Sequence, residues 1–168
     1  MITLANFDDI EEIINLINSI KEEFRELNNP QWGWSSESYP NKKIFINDIS
    51  KNELYKYEDN GIIKGIVCIS SDDNFEYDEV IKNSHNRAYV IHRLAVNINY
   101  RNEGIASQLI NYAENLARVR HIELIKCDTE ISNEKMNNLF NKLGYVLIGR
   151  FHYDDFPGIY NYYEKKVK

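Results

Sequence analysis

Between Asn99 and Ile110 the chain reads Asn-Tyr-Arg-Asn-Glu-Gly-Ile-Ala-Ser-Gln-Leu-Ile, which brings together residue types that bind phosphate. Gly104 and Ala106 open a helix whose apolar stripe is Ile105, Leu109, Ala113, Leu116 and Ala117. The N–H groups of a first helical turn lack partners inside the helix, and the helix dipole favours negative charge beside them. Small residues then let phosphate oxygens reach the backbone. Arg101 adds a fixed positive charge. A Gly and an Ala here also serve close packing of a helix on a strand, so spacing alone leaves both readings open. The pattern is not G-x-G-x-x-G, and no Lys-Ser/Thr pair follows the glycine, which sets aside dinucleotide and P-loop sites. Upstream, His92 is a side chain able to take a proton near neutral pH. A histidine on an apolar strand is also often a buried group bonded to a loop.

These residues need a strand before them and a helix after them, and the surrounding pattern supplies both. Ala88 to Val96 reads as a strand, Gly104 to Val119 as a helix, His121 to Asp128 as a strand, Asn133 to Leu143 as a helix and Tyr145 to Tyr153 as a strand. Strand, helix, strand at this spacing implies a right-handed crossover between parallel strands. Asp154 to Gly158 makes a turn into a last strand, Ile159 to Val167. In the first half, Ile10, Ile13, Ile14, Ile17, Ile20 and Phe24 recur at helical spacing behind acidic residues that suit a helix N-terminus. A short helix follows over Lys42 to Lys51. Leu54 to Glu58 and Ile62 to Ser70 flank Asp59-Asn60-Gly61, whose Asn-Gly pair provides the positive φ angles of a hairpin turn. Ser71 to Asn86 is a polar, acidic surface excursion. From Leu27 to Asn41 periodicity vanishes, and this loop carries Trp32, Trp34 and Tyr39. Tryptophans there either fold over a core edge or line a pocket.

The chain of 168 residues is 43% hydrophobic and 27% charged with 7 Gly and 3 Pro, the profile of one folded α/β domain over residues 1–168. A formal charge of −6 without a basic stripe argues against a nucleic-acid partner. No run reaches the apolar length of a membrane span, and the start of the chain, acidic by Asp8, lacks the basic region of a signal peptide. A cytoplasmic location follows by default. Cys68 and Cys127 sit in apolar runs without metal-site spacing and read as buried thiols, so no metal is expected.

Leu94-Ala95-Val96 followed by Arg101-Asn102-Glu103-Gly104-Ile105-Ala106 resembles the acyl-CoA motif of the GCN5-related N-acetyltransferases, Arg/Gln-x-x-Gly-x-Gly/Ala after a strand ending in Ala-Val. Downstream, Asn133 precedes the Gly144-Tyr145 pair by eleven residues, as in that family's second block. The element order agrees over essentially the whole chain. The runs Gln31 to Pro40 and Ile91 to Val96 are similar to a bacterial subgroup of single-domain members. The resemblance implies a mixed, mostly antiparallel sheet with a splayed parallel central pair flanked by helices, the acyl-CoA N-acyltransferase fold.

The resemblance also implies roles. Acetyl-CoA would be cosubstrate, its pantetheine arm held in the splay by main-chain groups of Leu94, Ala95 and Val96. One N–H there would polarise the thioester carbonyl. Arg101 and the backbone of Asn102, Glu103, Gly104, Ile105, Ala106 and Ser107 would cradle the pyrophosphate, with the Glu103 side chain turned to solvent. Asn133 would meet the arm from the other side, and Phe140 would pack on it. The acceptor would be a primary amine of a small molecule or peptide; from the residues themselves, Trp32, Trp34 and Tyr39 of the loop with Tyr160 and Tyr162 of the last strand are candidates to wall its pocket. Removing a proton from an amine of pKa about 10.4 costs roughly 4 to 5 kcal/mol at pH 7, so a base or a water relay is needed. His92 is the candidate, on the same face as Leu94 if strand alternation holds.

Phe140 departs from the family, which often has a Tyr there to protonate the leaving thiolate. Tyr145, Tyr160 and Tyr162 are loose substitutes, or solvent serves a thiolate of pKa near 8.5. The departure motivates an alternative, a non-catalytic acyl-CoA-binding or sensor domain. A third reading is an interaction domain in which Gly104 and Ala106 only pack. A homodimer through the last strand would cover a sheet edge, although nothing in the sequence selects it.

Overall fold

The computed structural model describes residues 1–71, 88–152 and 157–167. The expected excursion from Ser71 and the turn from Asp154 fall mostly outside these residues. In chain order the elements are β1 (Ile2–Leu4), α1 (Ile10–Glu26), α2 (Lys42–Ser50), β2 (Leu54–Asp59), β3 (Ile62–Ser70) and β4 (Ala88–Val96). Then follow α3 (Ile105–Val119), β5 (Leu124–Glu130), α4 (Glu134–Lys142), β6 (Val146–Phe151) and β7 (Tyr160–Lys166). The strands form one sheet in the order β1-β2-β3-β4-β5-β7-β6. Only β4 and β5 pair in parallel among the described strands. This is the expected mixed α/β sheet with a parallel central pair.

Each sheet face is covered by its own helices. On one side Ile105, Leu109, Ile110, Ala113 and Ala117 of α3, with Phe140 of α4, pack on Val67, Ile69, Tyr89, Ile91, Ile125 and Cys127. Gly65 lets α3 approach closely, because a Cβ there would stand 3.0 Å from Ile105 Cγ2 and from the Ala95 carbonyl oxygen. On the other side Ile10, Ile13, Leu16, Ile17 and Ile20 of α1, with Phe45 and Ile49 of α2, cover Leu54, Ile63, Ile66 and Cys68. Burying each Val, Ile, Leu or Phe among them contributes about 1.5–3 kcal/mol.

The four helices among the described residues end alike. A residue at positive φ follows each one, namely Asn28, Asn52, His121 and Gly144, and the next N–H returns to a carbonyl five residues back, as in Asn29 to Phe24 and Ile122 to Ala117. The cap at His121 explains why β5 begins at Leu124 rather than at the expected His121: residues 120–122 finish the helix. The strand then runs past the expected Asp128 to Glu130, in register with β7.

The last strand is not an edge. β7 is inserted between β5 and β6, pairing with both, so the expected dimer surface at an exposed last strand is not there. Among the described strands the edges are β1 and β6.

Candidate active site

β4 and β5 are paired from Ala88 and Leu124 to Ile91 and Cys127. Both strands continue, β4 to Val96 and β5 to Glu130, but apart. The cause lies on β4. Arg93 has a φ of 49°, in the left-handed region, and the register with β3 shifts between Ile66↔Ala95 and Cys68↔His92. The extra residue makes a bulge, which bends the strand away from its neighbour.

The bulge also reverses side-chain alternation. Leu94 and Val96 lie on the α3 face with Ile91. His92 pairs with Cys68, whose side chain belongs to the α1–α2 face, and Arg93 contacts the same sulfur. The expectation that His92 and Leu94 share a face is therefore corrected: they point to opposite sides of the sheet.

Where the strands part, a cleft of about 1080 Å³ runs through the molecule. Its lining brings together His92, Leu94, Ala95, Val96, Arg101, Asn102, Gly104, Ile105, Ala106, Ser107, Asn133, Phe140, Trp32, Tyr39 and Tyr160. Glu103 and Trp34 are not among the lining residues. Glu103 is exposed and stands 3.8 Å from Lys64, as expected of a solvent-facing side chain. Trp34 is 45% exposed and donates its indole N–H to the Asn29 carbonyl.

At one end of the cleft lies the N-terminus of α3. Asn102 and Gly104 have φ angles of 64° and 76°, a turn that aims successive N–H groups toward one side. The helices α2 and α4 are capped by the side chains of Asn41 and Asn133, whereas α3 opens on Gly104 with no side-chain cap. Gly104, Ile105, Ala106 and Ser107 of this uncapped first turn line the cleft. Arg101 stands beside them in a two-pronged ion pair with Glu23 of α1, at 2.5 and 2.6 Å. The guanidinium holds the Glu23 carboxyl below the usual carboxylate range. An anion arriving at this end competes with Glu23 for Arg101. Glu23→Gln is expected to tighten CoA binding several-fold, the equivalent of about 0.5–1 kcal/mol for a part-exposed pair. Calorimetric titration of wild type and variant checks it; unchanged or weaker binding would separate Arg101 from the anion.

In the middle, Asn133 is already engaged. Its Oδ1 caps Met136, and its Nδ2 donates to Gln31 Oε1 at 2.7 Å. Thr129 donates to the same oxygen at 3.1 Å, and the Tyr160 hydroxyl donates to the Gln31 carbonyl at 3.2 Å. Gln31 thereby ties the long loop across the splay to β5, β7 and α4. Phe140 is 2% exposed and tilted against Tyr145 and Tyr163, so it touches the cleft from within the core.

The opposite end lies on the α1–α2 face. Trp32 is buried against Phe24. Lys21, itself buried, donates to the Ser35 and Ser38 carbonyls and holds the loop down. Arg93 donates to both Asp48 oxygens at 2.7 and 2.9 Å, to the Tyr39 hydroxyl at 2.8 Å and to Cys68 Sγ at 3.1 Å. Burial opposes its charge, but Tyr39, Cys68 and Asp48 outweigh it and raise its pKa. Burial pushes the Cys68 thiol up to about 12. Burial and then the Arg93 charge push His92 down to about 3. His92 is thus held neutral across the physiological range. Asp128 of β5 also lines this end. It pairs with Tyr162, which puts it on the face of Val90, Tyr160 and Tyr162, and its charge adds to the burial that raises the Tyr160 pKa.

Of the three tyrosines weighed as proton donors, only Tyr160 lines the cleft. Tyr145 and Tyr162 are 3% and 1% exposed in the core. The residues not foreseen are Gln31, Asp48, Arg93, Asp128 and Glu23. The aromatic loop was the sole signal for Gln31, and the others meet only through the fold.

Residues 16–145 match the Acetyltransferase (GNAT) family, and the chain belongs to that family. It is 21% identical over 165 residues to the uncharacterized N-acetyltransferase YesJ of Bacillus subtilis (strain 168), covering 97% of this chain and 88% of that protein. The crystal structure of a GNAT-family acetyltransferase from Streptococcus agalactiae 2603 is 25% identical, with a TM-score of 0.85 over 100% of this chain and 95% of that one. A Salmonella typhimurium chain solved with acetyl-CoA, 12% identical, shares the fold at a TM-score of 0.72, covering 100% of this chain and 94% of that one. Among the described residues, no helix is long and apolar enough to cross a membrane.

Proposed function

We propose that this acetyltransferase moves an acetyl group from acetyl-CoA directly to a primary amine of a small molecule or peptide. The observation that carries the reading is the end of β4–β5 pairing at Ile91 and Cys127, in a slot continuous with the uncapped start of α3. Pantetheine is a chain of amides that can pair with the exposed edge of residues 94–96 as a missing strand would. The pyrophosphate then reaches Arg101 and the N–H groups of residues 102–107. Asn133 and Phe140 flank the arm. The acetyl-bearing Salmonella structure supports acetyl-CoA as cosubstrate.

The acceptor enters from the α1–α2 face, between Trp32, Tyr39 and Tyr160, with Trp34 at the rim. His92 accepts a hydrogen bond from its nitrogen and orients the lone pair toward the thioester carbon. With a pKa near 3, His92 does not pull a proton from a free ammonium. Asp128 attracts the ammonium, and water at the cleft mouth carries the proton away. The amine's own ionisation therefore sets the pH dependence. For an acceptor of pKa near 10.4, log kcat/KM is expected to rise about one unit per pH unit from pH 6 to 9. An inflection near pH 6.5 that His92→Gln removes would contradict this assignment.

A second reading, a domain that senses acyl-CoA without turning it over, rests on Phe140, which offers packing where a hydroxyl would donate a proton. Thiol release from acetyl-CoA, followed across polyamines, aminoglycosides, aryl amines and peptide N-termini, decides between the two. Transfer to any amine above the hydrolytic background establishes the enzyme. Tight binding with no acceptor establishes the sensor.

A further inference from the structure

We infer that Arg93 is a positioning residue: its ion pair with Asp48 holds the β4 bulge that keeps the cleft open. The backbone of residue 93 gives no reason for an arginine. At a φ of 49° glycine or asparagine sits with least strain, and a long side chain in a strand is disfavoured there. The side chain supplies the reason. Both Asp48 oxygens receive guanidinium N–H groups at 2.7 and 2.9 Å, and the pair is nearly buried, at 11% and 3% side-chain exposure. The Tyr39 hydroxyl and Cys68 Sγ receive the remaining contacts at 2.8 and 3.1 Å. Three separate elements, α2, the long loop and β3, thus grip one residue of β4 and turn its backbone out of the regular strand.

The consequence follows from the pairing. With residue 93 in ordinary extended conformation, β4 loses its bulge, and residues 92–94 can continue the parallel ladder with residues 128–130. The slot edge that now faces the cleft is then occupied by the protein itself. The arginine acts through the backbone, and its anchor sits on the face opposite Leu94 and Val96.

Three variants separate backbone from side chain. Arg93→Ala lacks the anchor and disfavours positive φ. Arg93→Gly lacks the anchor but adopts positive φ freely. Asp48→Asn keeps a hydrogen bond and removes the charge. Calorimetric titration with CoA is expected to show at least a tenfold loss in Arg93→Ala, recovery of most of it in Arg93→Gly, and an intermediate loss in Asp48→Asn. Hydrogen exchange, read without ligand, is expected to show slower exchange of the slot-facing amides of residues 92–94 and 128–130 in Arg93→Ala. The affinity readout rests on the proposed CoA site; the exchange readout does not, so wild type failing to bind CoA would remove that function and leave this inference to be decided by exchange. Unchanged exchange in Arg93→Ala overturns it. Arg93→Gly as weak as Arg93→Ala, with an open slot in both, also overturns it and makes the guanidinium a ligand contact. Should Arg93→Ala fail to fold, the ordering of wild type, Arg93→Gly and Asp48→Asn carries the same test.

Discussion

Ala106→Glu is expected to weaken CoA binding at least 100-fold while leaving the melting temperature unchanged or slightly higher. Ala106 lies in the first turn of α3 and lines the cleft. A carboxylate there faces a helix N-terminus, which stabilises a helix by about 0.3–1 kcal/mol, so the fold does not suffer. The same carboxylate occupies the place proposed for a pyrophosphate. Two like charges 4 Å apart repel by roughly 4 kcal/mol at an effective dielectric constant near 20, more than the ~2.7 kcal/mol that a 100-fold loss requires. Opposite signs for stability and binding distinguish this from a folding defect. Titration with CoA beside a thermal melt checks both, and undiminished affinity would place the phosphates elsewhere.

His92→Gln is expected to make the protein markedly more resistant to acid. The folded pKa of His92, about 3, lies below its unfolded value near 6.5. Between these values the unfolded chain binds the extra proton, so folding stability falls as pH falls below 6.5 and the loss is complete near pH 3. At pH 5 the wild type has lost about 2 kcal/mol through this residue alone relative to neutral pH. Glutamine has no such proton to bind. Denaturant unfolding of both proteins at pH 7 and pH 5 should show the gap between them change by about that amount. A gap independent of pH would mean that His92 titrates normally in the folded protein.

Much of this architecture was legible in the residues. The isoleucines of α1 repeat at helical spacing, Asn60-Gly61 turns the β2–β3 hairpin, and Gly104 and Ala106 mark the start of α3. Each is a local signal, carried by spacing or by one residue's backbone preference. What escaped is decided by pairing between distant segments. A bulge is a mismatch between two strands, and arginine carries no local preference for positive φ that would announce it. Without the bulge, alternation put His92 beside Leu94, and the acceptor face could not be separated from the cofactor face. The insertion of β7 between β5 and β6 likewise has no trace in either strand alone. Glu23 and Arg101 stand far apart in the chain, and nothing near Arg101 reveals that α1 supplies its partner.

The cleft also bears on charge. A chain of net charge −6 can host a polyanion because the favourable groups are local: one arginine and the first turn of one helix. At the other end the Asp48 charge is matched by Arg93, and the Asp128 carboxylate suits a cationic acceptor.

Titration of the purified protein with CoA, followed by calorimetry at low and moderate salt, tests the central claim most directly. Saturable one-to-one binding in the micromolar range is expected, weakening as salt screens Arg101 and the helix terminus. No saturable binding up to millimolar CoA at low salt would contradict the assignment of this cleft to an acyl-CoA.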